Sequence, residues 1–134
     1  MAGLLPVVRH MIVCEDIPVD PVNPRRVTLV NLLSGIRSPS QPPFPFRCPK
    51  LCVYAQLTEC RGTAEVHLQI EQADTQTSVF QTRLRKISFG NDPLQVFRMF
   101  SRIRGCTFPA AGLYWVQLWY NNVVIFQESL QLEG

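Results

Sequence analysis

His10, Cys14, Glu15 and Asp16 stand close together, and imidazole, thiol and carboxylate are the donors of transition-metal sites. Their spacing argues against that use. On a strand His10 and Cys14 share a face, but they lie roughly 13 Å apart at about 3.3 Å per residue, too far to reach one ion. A satisfied, partly buried histidine beside a structural cysteine is the commoner meaning. Cys48 and Cys52 have Cys-x3-Cys spacing, yet no second Cys or His pair follows at zinc-site distance. A four-thiolate site would need the fold to gather Cys48, Cys52, Cys60 and Cys106. Neither a metal nor a cofactor is expected, and a metal- or redox-linked role for the cysteines stands as an alternative.

For nucleophilic catalysis the chain offers only His10 and His67 as bases. His67, between Glu65 and Gln69, is expected on the wet face of a strand. Ser34-Gly35 and Ser88-Phe-Gly90 lack the Gly-x-Ser-x-Gly context, and the seven glycines are scattered rather than grouped into a phosphate-cradling loop. Glu15 and Asp16, neighbours at a strand end, point opposite ways. No catalytic residue is assigned, and the chain is not expected to be an enzyme.

Thirteen residues are basic, and all but Lys50 and Lys86 are arginine, the side chain suited to planar, bidentate contacts. On an alternating strand Arg98, Arg102 and Arg104 line one face at spacings that fit phosphates or carboxylates. A solvated sheet face is the commoner meaning of such a pattern. An acidic protein partner is the moderate functional reading. A net charge of +3 argues against nucleic acid as a partner.

The elements that would position these residues are strands. At 134 residues, with 46% apolar and 17% charged, the chain suits one folded domain over 1–134. Val7–Ile17 and Val27–Leu33 read as strands, the second apolar on both sides. Leu51, Val53, Ala55 and Leu57 alternate with polar positions, as do Ala64, Val66, Leu68 and Ile70. Val79–Phe89 is a weaker strand. Gln95–Arg104 fits a strand or a short helix, and its place before the last hairpin favours the strand. The proline-rich segment 38–49 is expected as a loop that cannot be a regular central strand. About eight strands with no confident helix predict an all-β, antiparallel β-sandwich of immunoglobulin-like or Greek-key type. The N-terminus does not read as a signal peptide, and no apolar run nears the ~20 residues of a spanning helix, so no membrane is expected. Five cysteines without an export signal imply reduced thiols and a cytoplasmic location.

The richest stretch is the last. Gly112–Tyr120 and Val123–Leu132 flank Asn121-Asn122 and read as a hairpin on a two-residue type I′ turn. An unbroken register pairs Leu118 with Ile125, Trp119 with Val124, Gln117 with Phe126 and Trp115 with Glu128. Tyr114, Val116, Leu118 and Ile125 are then core, and Trp115, Trp119, Val124 and Phe126 face outward. Either the assignment is inverted, or the proline-rich loop covers these rings, or the four side chains form an interface.

The segments Val8-Arg-His-Met-Ile-Val-Cys-Glu-Asp16, Asn23-Pro-Arg-Arg-Val-Thr-Leu-Val-Asn-Leu-Leu-Ser34, Leu57-Thr-Glu-Cys-Arg-Gly-Thr63 and Phe89-Gly-Asn-Asp-Pro-Leu94 are distinctive. With Arg102–Asn121 they resemble a family of short, stand-alone bacterial domains of unknown function, over nearly the whole chain. The resemblance implies a bacterial, cytoplasmic β protein and carries over no catalytic residue. The expectation is a non-enzymatic binding or assembly module that uses the hairpin's aromatic face on a protein partner or on itself. A small-ligand or carbohydrate-binding sandwich is the alternative.

Overall fold

The computed structural model describes residues 5–92 and 94–134, and these contain no helix. The strands are β1 (Val7–Asp16), β2 (Val30–Leu32), β3 (Gly35–Arg37), β4 (Phe46–Thr58) and β5 (Gly62–Gln72), followed by β6 (Thr77–Gln81), β7 (Arg85–Gly90), β8 (Phe97–Phe108), β9 (Gly112–Tyr120) and β10 (Val123–Glu133). The first sheet has the order β2-β1-β4-β8. The second runs β3-β10-β9-β5-β6, with β7 also paired to β5. All pairings are antiparallel except the short parallel contact of β3 with β10. The molecule is an all-β sandwich, as the period-two patterning predicts.

Alternation explains the core. Leu51, Val53, Ala55 and Leu57 of β4 point inward with Met11 and Val13 of β1 and Met99 and Ile103 of β8. They meet Ala64, Val66, Leu68 and Ile70 of β5, Tyr114, Val116, Leu118 and Tyr120 of β9, and Leu130 and Leu132 of β10. Leu68, Ile70, Leu118, Leu130 and Leu132 have no exposed surface, and each such side chain contributes about 1.5–3 kcal/mol. The buried Tyr114 hydroxyl donates to the Ala110 carbonyl at 2.7 Å and accepts from the Ala110 N–H at 3.3 Å. At the hairpin tip Asn121 and Asn122 hold φ of 47° and 65°, the left-handed values that the turn requires. Asn121 also exchanges hydrogen bonds of 2.9 Å with the Glu65 backbone, pinning the tip to β5.

Several expectations need correction. There are ten described strands rather than about eight. Only Val30–Leu32 of the expected strand Val27–Leu33 is extended into the sheet, because Val27 and Leu29 fold down over Cys14, Ile17, Cys52 and Tyr54 on the outer side of the first sheet. Val79–Phe89 is two strands: Thr82 leaves the ladder to exchange hydrogen bonds with Leu68, and both halves then pair with β5. Pro49 does lie within a strand of the first sheet. Cys14 of β1 is opposite Cys52, so β1 ends before reaching Pro49, and there β4 has only β8 to bond. One missing N–H is then tolerated. Opposite Pro49 stands Gly105 at φ 73°. The inward face of β4 changes there, from Cys48 to Leu51.

Candidate functional site

The hairpin's outer face is built by β5, β9 and β10. His67 is opposite Trp119, Gln69 opposite Gln117, and Glu71 opposite Trp115. The Trp119 ring stacks on His67 with centroids 5.5 Å apart. Its Nε1 donates to Gln117 Oε1 at 3.2 Å, and Gln117 Nε2 donates to Gln127 Oε1 at 3.2 Å. His67 and Gln117 are buried, against the expected wet face for His67, and the His67 Nδ1 has no hydrogen-bond partner among the described residues. Burial holds its imidazole below the usual pKa, because the ring lies under Trp119 rather than in water.

Trp115, Trp119 and Val124 are half-buried on this face, and Val124 pairs with Trp119 as expected. A bulge at Ile125 then shifts the register by one residue. Phe126 falls opposite Leu118 instead of Gln117, Gln127 takes the place beside Gln117, and Trp115 meets Ser129 rather than Glu128. The four residues read as one patch are thus three, with Phe126 displaced from them. Ile125 packs against the core as expected. The proline-rich segment sits elsewhere: the Ser38 N–H donates to the Glu133 carbonyl at 2.8 Å, and Pro43 lies beside Gly134, at the far end of β10 from Trp119.

The outer face of the first sheet is different in kind. Along β8, Met99 and Ile103 are buried while Arg98, Phe100, Arg102 and Arg104 are exposed on the opposite side. These are the arginines whose alternation predicted one face. The segment between β1 and β2 hangs over them and is held there by guanidiniums. Arg102 donates to the Ile17 carbonyl at 2.5 Å, and Arg98 donates to the Arg25 carbonyl at 3.4 Å. Each contact uses one of five guanidinium donors, which orients the group and leaves the rest free. Phe100, 36% exposed, tilts against Tyr54 at 5.5 Å. A cavity of about 210 Å³ opens between this segment and β8, lined by Ile17, Asp20, Pro24, Arg26, Val27, Phe100 and Arg102 among others. Sequence spacing placed the three arginines together, but it gave no sign that Arg25, Arg26 and the cavity would join them.

Two carboxylates temper this positive face. Asp16 binds Lys50 at 2.5 Å, and that hydrogen bond holds its carboxyl below the usual range. Asp20 accepts from the Val22 and Asn23 N–H groups at 2.9 Å and faces Arg26 at 3.9 Å. The cysteines are separated into cross-strand neighbours, Cys14 opposite Cys52 and Cys48 opposite Cys106, with Cys60 apart. All five are buried free thiols. Among the described residues no group of three or more His, Cys, Asp or Glu is placed to hold a metal ion. Nor, among those residues, is any helix long and apolar enough to cross a membrane.

A sandwich of this topology, with an arginine-lined outer face, is matched over residues 10–133 by the model of a family of unknown function, DUF6941. The chain belongs to that family. No curated protein matches it. Among solved structures it is similar to the Pseudomonas fluorescens alkylpurine DNA glycosylase AlkC bound to DNA containing an abasic site analog, with a TM-score of 0.50 and 16% identity. The likeness covers 75% of this chain and 28% of that one, so the chain spans little more than a quarter of the glycosylase's length, and what the two share is a fold. The expectation that nucleic acid is excluded as a partner is corrected by this finding. A sum of charges measures no local field, and this fold occurs within a protein bound to DNA.

Proposed function

We propose that this protein is a non-enzymatic binding module that takes nucleic acid by its phosphate backbone along the outer face of β8. The observation that carries the reading is the run Arg98, Phe100, Arg102 and Arg104 on one exposed face, with two of its guanidiniums oriented by the carbonyls of Ile17 and Arg25. Fixed guanidiniums interleaved with an aromatic ring suit phosphates and stacked bases together. The DNA-bound glycosylase of similar fold supports the same reading. A binding role in place of catalysis is supported by the histidines, neither of which hydrogen-bonds a hydroxyl or thiol among the described residues. We place this work in the bacterial cytoplasm, where five unpaired thiols persist.

The test is fluorescence anisotropy with labelled oligonucleotides at low salt. Wild type should bind, and Arg98→Ala/Arg102→Ala/Arg104→Ala should bind at least tenfold more weakly while remaining folded. Equal binding by the two proteins, or none by wild type, overturns the proposal.

The tryptophan face carries a second reading, a surface for another partner. Trp115, Trp119 and Val124 stay half-exposed together, and Trp119 is fixed by His67 and Gln117. A folded Trp115→Ala/Trp119→Ala variant with unchanged assembly and unchanged pulled-down proteins would remove it.

A further inference from the structure

We infer that the cavity beneath the segment joining β1 and β2 receives one unpaired base, so that the preferred ligand is a single strand; this rests on the nucleic-acid reading above. The cavity lies midway along the arginine run. Phe100 forms part of its wall, and the contact with Tyr54 at 5.5 Å fixes that ring. Arg98 and Arg102 stand two residues to either side of Phe100, about 6.6 Å away along the strand. A base stacked on Phe100 therefore brings its flanking phosphates over the two guanidiniums.

The remaining walls fit a flat heterocycle. Pro24 and Val27 offer apolar contact, while Asp20 and Arg26 place an acceptor and a donor at its edge. At about 210 Å³ the space is smaller than the ~300–1,000 Å³ of pockets for drug-sized ligands, and suits one ring system rather than a longer ligand. A paired base, stacked inside a duplex, cannot reach a recessed ring without leaving the stack. Duplex DNA would touch only the arginines.

The discriminating experiment uses the full chain and three labelled probes in anisotropy titrations: oligothymidylate of about twelve nucleotides, a sugar–phosphate strand of equal length without bases, and a duplex. Oligothymidylate should bind about tenfold or more tightly than the baseless strand. Phe100→Leu should remove that difference while keeping the melting temperature. Val27→Phe, which fills the cavity and alters no arginine, should do the same. Equal affinity for the two strands, tighter binding of duplex, or indifference to both substitutions overturns the base-binding site and leaves the phosphate-binding face standing. No binding by any probe removes both.

Discussion

Arg104 and Arg102 differ by one hydrogen bond, and that difference separates charge from scaffolding. Arg102 donates to the Ile17 carbonyl, whereas Arg104 is exposed and pairs with no carboxylate among the described residues. On the proposed path the strand meets five arginines: Arg25 and Arg26 of the overhang and Arg98, Arg102 and Arg104 of β8. Arg26 keeps Asp20 at 3.9 Å, which discounts it and leaves about four phosphate contacts. At about 0.7 per contact for a single strand, log K should fall against log salt with a slope near −2.8, about fiftyfold between 50 and 200 mM. Arg104→Gln should bring the slope to about −2.1, roughly a twentyfold loss over that range, with stability changed by less than about 0.5 kcal/mol. Arg102→Gln should lower the slope equally and also cost about 1 kcal/mol by releasing Ile17. Anisotropy titrations at four salt concentrations, with urea melts of each variant, read both quantities. Arg37→Gln on β3, whose side chain faces Glu133 at 3.5 Å on the second sheet, is the control and should leave the slope unchanged. A slope that ignores Arg104, or that responds as strongly to Arg37, refutes the reasoning.

Three further outcomes concern the fold. Tyr114→Phe should destabilise by about 1–2 kcal/mol in urea melts, since it leaves both Ala110 backbone groups without their partner, while Tyr120→Phe, whose hydroxyl makes no hydrogen bond among the described residues, should stay near zero; equal costs would show that the hydroxyl pair is idle. Burial pushes Cys106 up to about 12 and Cys14 up to about 11, from 9.0. Folding thus favours the neutral thiols: their contribution is complete below pH 9 and is lost as pH rises from there through 11–12. The urea midpoint should fall above pH 9, and a Cys14→Ala/Cys106→Ala variant should show a flatter decline; identical slopes would contradict the assignment. Gly105→Ala should cost about 1–2 kcal/mol, because φ is 73° and strains any Cβ, while the Arg47 guanidinium beside it is the end of a flexible side chain that can swing aside; a neutral result in the same melts would mean the strand relaxes there.

What could be read in advance depended on whether a signal was local. The Asn121-Asn122 turn was legible because two adjacent residues that tolerate positive φ sit between β-rich arms. The inward runs of β4 and β5 were legible because period two repeats through four residues of each. The Ile125 bulge was not, since Val-Val-Ile-Phe carries no glycine or other break, yet that one residue moved Phe126 away from the tryptophans. The break at Thr82 was equally silent, because its cause is a hydrogen bond to Leu68 on another strand. His67 looked wet because its sequence neighbours are polar, and it is buried because Trp119, distant in sequence, lies on it. The alternation of Arg98, Arg102 and Arg104 fixed their common face; the overhang that completes the site comes from residues 17–29 and is a matter of tertiary packing.

β2 and β3 are consecutive strands that belong to opposite sheets, and only Leu33 and Ser34 separate them. Leu33 bonds to Val13 of β1 and Ser34 to Gln131 of β10, so this two-residue tie is clasped by both layers. Two three-residue links also cross between the layers, 59–61 from β4 to β5 and 109–111 from β8 to β9, and β6 and β8 touch across the sandwich. The sandwich is therefore stitched at several places along its rim, and the clasp at Leu33 and Ser34 is the shortest stitch. The amides of β8 that point away from β4 lie on the free edge of the first sheet and should exchange early, which sets the proposed binding strand on an open margin rather than in mid-sheet.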